Sequence, residues 1–186
     1  NDSVFVQFFR YVKNMLTGDF GESYTISKNT PVSVLLKNRL PISLLLGAMS
    51  IALGTITGLV LGIFAALKHN TIFDTAATFF SVVGVSIPSY VFALGLSYYF
   101  GFQLGLFPML FNQDHGFVAY VLPALALSMT VTATVARFTR TEMLEVLNSD
   151  YVQLVESKGV SGIQLIFKHA LRNASISIIT ILGPLV

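Results

Sequence analysis

The sequence predicts an all-α, polytopic transmembrane helix bundle that is incomplete at both ends. Three observations carry this prediction. Hydrophobic residues make up 54% of the chain and charged residues only 11%, where soluble domains carry about 25% charged residues. Residues 41–67 contain no charged residue, and an apolar helix needs only ~20 residues to cross the hydrocarbon core. The chain also opens at Asn1 rather than methionine and stops at Val186 inside an apolar run, as an internal piece of a longer polypeptide would. Two regions are expected: an amphipathic helix and loop preceding the membrane over residues 1–40, and a transmembrane region over 41–186.

Residues 4–16 place Phe5, Phe8, Phe9, Val12 and Leu16 at helical spacing, with Gln7, Arg10, Lys13 and Asn14 opposite. This is an amphipathic helix too short and too charged to span. Gly18 and Gly21 end it, and Ser23 to Pro31 reads as loop. A further short helix is expected over 32–39, carrying Lys37 and Arg39 toward the membrane surface. The first span then covers 41–67, with Pro41 in its first turn, where a missing N–H costs nothing. The second covers 71–100, with Asp74 near its start and Pro88 in its middle, and the third covers 117–136. A fourth begins near Asn173 and runs to the end of the chain.

Residues 137–172 form the longest polar stretch. Met143, Leu144 and Leu147 fall at helical spacing over 139–148. Asp150 precedes Gln153 as an acidic cap, so a helix should start near Tyr151, and Gly159 fits its end. Ser161 and Gln164 repeat the capping pattern ahead of an apolar stripe of Ile163, Ile166, Phe167, Ala170 and Leu171. Placing 68–71 and 137–172 in the cytoplasm puts six Lys/Arg inside, against five in residues 1–40 outside. The positive-inside rule favours that topology by a narrow margin.

Several function classes lose support. A net charge of +2 is too small to argue for nucleic acid. The chain has no cysteine, and His69, His115 and His169 share no ligand-like spacing, so no metal site is expected. No span has a charged residue near its centre, as proton- or sodium-coupled carriers often do. There is no phosphate-binding G-x-x-x-x-G-K-[ST] loop, so any energy source should sit on another chain.

Three groups of residues are candidates for function. Gly54, Gly58 and Gly62 repeat every four residues and give one helix face on which another backbone can approach closely. Ala124, Ser128, Thr132 and Ala136 form a second small-residue face, with Thr130 and Thr134 beside it; these hydroxyls suit i−4 carbonyls, a neighbouring helix or a passage. Pro88, flanked by Ser86 and Ser89, should bend the second span, with the serines able to satisfy the freed backbone groups. A gate and a kink needed only for packing both fit that bend. Ser86, Pro88, Ser89, Ser128 and Thr132 are therefore the pathway or gate candidates.

Asp150-Tyr151-Val152 through Lys158-Gly159, and on to His169-Ala170-Leu171-Arg172-Asn173, closely resembles the coupling loop of bacterial ABC-importer permeases. The branch resembled is the oligopeptide/dipeptide/nickel family, B-type subunit. Gly18-Asp19-Phe20-Gly21, Arg39-Leu40-Pro41, Ser86-Ile87-Pro88-Ser89, Leu104-Gly105-Leu106-Phe107-Pro108, Leu122-Pro123-Ala124 and Ala136-Arg137 agree with it in order. The resemblance implies the type I importer permease fold with six spans, in the bacterial cytoplasmic membrane. It sets residues 1–40 outside and 137–172 in the cytoplasm. Tyr151, Val152, Leu154, Val155, Ser157, Lys158 and Gly159 would form the coupling helix.

The partners it implies are a second homologous permease subunit, two cytoplasmic ATPase subunits holding ATP and Mg²⁺, and an external substrate-binding protein. This chain itself would hold no cofactor and perform no catalysis. Its substrates would be oligopeptides, toward which Ile181-Leu182-Gly183-Pro184 leans; dipeptides, nickel or another small solute are handled within the same branch. The Glu-Ala-Ala version of the loop is replaced here by Gln153-Leu154-Val155, and the family often has Ala where Ser157 stands. Coupling should survive these departures, with altered pairing to a particular ATPase. A secondary carrier or channel without ATPases, and a scaffold subunit without a pathway, are the alternatives from other classes.

Overall fold

A computed structural model describes residues 3–160, 164–166, 171 and 180. The expected fourth span, the Ser161/Gln164 capping pattern, most of the Ile163–Leu171 stripe and the 181–184 stretch lie outside the described residues. The chain divides into two compact units, residues 1–45 and 46–186.

In the first unit, α1 (Val4–Leu16) has no buried residue and exposes Phe5, Phe8, Phe9 and Leu16. Lys13 in its last turn suits the negative end of the helix dipole. Thr17 Oγ1 donates to the Asn14 carbonyl at 2.8 Å, and Gly18 turns the chain away at φ +83°. The segment expected as plain loop contains a minimal antiparallel ladder, β1 (Glu22–Ser23) paired with β2 (Thr30–Pro31). The backbone continues from β2 directly into α2 (Val32–Leu67), so the short helix expected over 32–39 is not separate. Pro41 consequently lies inside a 36-residue helix rather than in its first turn. It removes one N–H, and a long helix absorbs a single lost bond through its neighbours.

In the second unit, α2 presents Ser50, Gly54, Gly58, Gly62 and Ala66 as a buried stripe at four-residue intervals. The second span departs from the expected bend. It is a broken pair, α3 (Ile72–Ser86) and α4 (Ser89–Leu96), the latter continuing as a π-helical run over Ser97–Gln103, with 101° between the two parts. The backbone angles show how the helix ends. Ile87 takes ψ 123° and Pro88 ψ 139°, so two successive residues are extended and the helix stops rather than kinks. At 15 residues α3 is ~22 Å long, short of a ~30 Å hydrocarbon core. Both halves lie against α5 (Val118–Leu147).

Helix α5 is the centre of this unit. It runs eleven residues past the end of the expected third span, because the helix expected over 139–148 is its own continuation. Its buried residues run from Ala119 to Met143 and include Ala124, Ser128, Val131, Ala133, Val135, Ala136 and Thr139. Its last carbonyls are met by side chains: Asn148 Nδ2 donates to Leu144 O at 2.8 Å and Ser149 Oγ to Val146 O at 2.7 Å. α6 (Asp150–Ser157) follows at once. The carbonyl opening it belongs to Ser149, which accepts from Val152 N and Gln153 N at 3.1 and 3.3 Å, so Asp150 stands in the first turn rather than at the cap.

Candidate functional site

The two small-residue faces meet. A Cβ placed on Gly54 would come within 2.5 Å of Val131 Cβ, one on Gly58 within 2.7 Å of Val135 Cβ, and one on Gly62 within 2.6 Å of the Ala136 carbonyl. Real non-bonded carbons sit at about 3.5–4.0 Å, so only glycine fits at these three positions. Between them, Thr57 and Thr132 share a hydroxyl hydrogen bond of 2.8 Å across the seam. Ser128 Oγ donates to Leu125 O at 2.8 Å and Thr134 Oγ1 to Thr130 O at 2.9 Å, both within their own helix. On the opposite side of α5, Gly84 of α3 would bring a Cβ within 2.8 Å of Ala133 Cβ.

The break at Pro88 stands beside a cavity of about 390 Å³ between α3, α4 and α5, lined by Phe80, Ser81, Gly84, Phe92, Met129 and Thr132 among others. Of the five pathway candidates, Thr132 lines this cavity. Ser86 and Pro88 are exposed and Ser89 half-buried, and Ser86 Oγ donates to Val82 O at 2.8 Å in its own helix. Ser128 is buried. The structure therefore does not gather the five into one surface.

Helix α6 has two different sides. Val152, 1% exposed, and Val155, 9% exposed, form a small core with Leu165, against which Val146 and Val160 pack. Tyr151 and Leu154, three residues apart and therefore on one face, are 45% and 55% exposed. Ser157 Oγ donates to Leu154 O at 2.7 Å, and Lys158 is exposed. Gly159 closes the helix at φ +85°, and among the described residues nothing lies within 4 Å of where a Cβ would stand. Its glycine is a backbone requirement rather than a packing one.

One cluster is not legible in the sequence pattern, where Asp74 is only a charged residue near the start of the second span. Asp74, 4% exposed, is held by Arg140 of α5, sixty-six residues away. Arg140 Nε donates to Asp74 Oδ1, and Arg140 Nη2 to Oδ2 at 2.8 Å. The Asn70 N–H donates to Oδ2 at 3.0 Å, and His69 Nδ1 lies 3.0 Å from the same oxygen. His69 thus belongs to an ionic cluster at the α2–α3 turn. The available signal was an acidic residue at one span boundary and an arginine at another, on turns predicted to share one side of the bilayer.

Long apolar helices, glycine seams and a broken span packed on a central helix define a multi-pass α-helical membrane protein. The pattern of the binding-protein-dependent transport system inner membrane components matches residues 58–185, and the chain belongs to that family. It is 41% identical over 179 residues to the dipeptide transport system permease protein DppB of Lactococcus lactis subsp. cremoris, covering 96% of this chain and 58% of that protein. Against the dipeptide permease DppB of Bacillus subtilis the identity is 40%, covering 100% of this chain and 59% of the relative. Against the oligopeptide transport system permease protein OppB of Haemophilus influenzae it is 37%, covering 99% and 60%. The chain thus spans roughly three fifths of each of these relatives. The resemblance to the peptide-permease branch of ABC importers holds over nearly the whole chain, and the protein is a multi-pass component of the bacterial inner membrane.

Proposed function

We propose that this chain is the pathway-forming permease part of an ATP-driven, binding-protein-dependent importer of short peptides, and that α6 is its coupling helix. One observation carries the reading. α6 is fixed to its own chain by Val152 and Val155 while Tyr151 and Leu154 stay outward, an apolar pair on a rigid stub stopped by a left-handed glycine. A helix anchored on one side and apolar on the other is suited to sit in a cleft of a soluble partner, and burial within its own chain keeps a push on it from being lost in local bending.

In this reading α6 and the α2–α3 turn face the cytoplasm. Two ATPase subunits carrying ATP and Mg²⁺ receive α6 and its counterpart on a second, homologous permease subunit, and an external binding protein delivers the peptide. Val152, Val155 and Gly159 hold and terminate the coupling helix, while Tyr151 and Leu154, with Ser157 and Lys158 at its end, meet the ATPase. The named relatives divide between dipeptide and oligopeptide systems, which supports peptides as the substrate class without choosing their length. These 186 residues contain no cysteine, so Leu154→Cys supplies a new crosslinking thiol, made specific by a cysteine-free background in the rest of the assembly. Crosslinking of that thiol to a co-purified ATPase is expected; capture from the external side, or no ATPase in the purified assembly, would refute the reading.

A further inference from the structure

We infer that the Asp74–Arg140 pair is the tie through which α6 displaces α3, so that α3 and the α5–α6 arm move as one body during transport. This rests on α6 being the coupling helix and names the residues that pass its motion on. Arg140 stands about two turns before the end of α5, and Asp74 is in the first turn of α3. The pair therefore joins these helices at the end nearest α6. A guanidinium gripping both oxygens of a carboxylate fixes orientation as well as distance, unlike van der Waals contact, which permits sliding. The rest of the carboxylate's shell, Asn70 N–H and His69, comes from the α2–α3 turn, so that corner is held too.

A continuous path leads from α6 to the pair. Val152 and Val155 pack with Val146 of α5, and Val146 also packs on the cluster of Met143 and Ala66. Met143, 0% exposed, is three residues beyond Arg140 on the same helix. At the far end of α3 stands the break at Ile87–Pro88, where no helical ladder resists rotation. Force entering at α6 thus has a directional bond into α3 and a hinge at its other end. Gly84 against Ala133 steadies the last turn of α3 by packing alone.

The test uses the whole assembly, permeases with ATPases and binding protein, in proteoliposomes. Spin labels on Thr75→Cys and Gln153→Cys, both exposed, in an assembly otherwise stripped of reactive thiols, report the α3–α6 distance. The expected result is one narrow distance, the same without nucleotide and with vanadate-trapped nucleotide; a distance that changes between those states overturns the proposal. Asp74→Asn keeps the size and removes the charge. In the assembled variant it is expected to lower peptide imported per ATP hydrolysed about tenfold, within the usual 5–150-fold range of coupling between sites. The double variant Asp74→Asn/Arg140→Gln, which leaves no lone charge, should regain part of that loss. Unchanged peptide per ATP with only a lowered melting temperature would mean a structural clip and overturn the tie. Where Asp74→Asn fails to assemble, the distance measurement in the otherwise unaltered chain decides. Absence of any bound ATPase would instead defeat the reading of α6, and the tie with it.

Discussion

Replacing Gly58 with alanine adds one methyl group to the middle of the α2–α5 seam. That carbon would stand 2.7 Å from Val135 Cβ and 2.9 Å from the Thr132 carbonyl. Ordinary carbon contacts begin near 3.5 Å, so the helices must separate by about 1 Å. The opposing atoms include backbone, so no rotamer change relieves the clash. Separation by that amount also stretches the Thr57–Thr132 bond, 2.8 Å in the native seam, beyond hydrogen-bonding distance. Overpacking costs about 1–3 kcal/mol, and an interhelical hydrogen bond in a membrane protein contributes about 0.6 kcal/mol. The expected loss is therefore about 2–4 kcal/mol, read as a lowered midpoint in detergent-titrated unfolding of the purified protein. Gly47→Ala is the control: it lies in the same helix with nothing among the described residues within 4 Å of its added carbon, and should be neutral or slightly stabilising. Equal stability of the two variants would refute the close-approach argument.

Three further outcomes follow from the same geometry. Gly159→Val forces a β-branched residue to φ +85° and should cost about 1–2 kcal/mol locally, lowering transport per ATP, while Gly159→Asn, which tolerates that conformation, should retain most of it; equal transport in both would remove the backbone argument. Tyr151→Asp or Leu154→Asp should leave the unfolding free energy within about 0.5 kcal/mol of native yet abolish ATPase retention on purification, whereas Val152→Asp buries a charge in the small α6 core and should lower stability itself. Pro88→Ala restores an N–H at the break and should favour joining of α3 and α4; uptake is expected to fall with stability unchanged or raised, and native uptake would show that the break is not used.

Much of this architecture was legible because a bilayer imposes simple local rules. A charge-free run such as 41–67 has few alternatives to a helix, since backbone groups in lipid must be satisfied within the segment. The stop at Gly159 and the amphipathic character of α1 were equally local matters of backbone freedom and periodicity. Boundaries were less legible. The 139–148 pattern reads as an independent helix because its apolar spacing differs from that of 117–136, yet nothing between them stops the backbone, and α5 runs through.

The sequence by itself determined that the chain makes apolar helices, where small residues allow close approach, and where a glycine must end α6. These depend on side-chain volume, spacing and φ, all properties of neighbouring residues. Tertiary structure alone decided that Pro88 breaks a span while Pro41 and Pro123 remain inside helices. The difference is that both halves of the broken span find packing against α5. Tertiary structure alone also brought Asp74 to Arg140. No local pattern encodes a partner sixty-six residues away; the meeting requires α3 and α5 to be packed in register before either charge has somewhere to go.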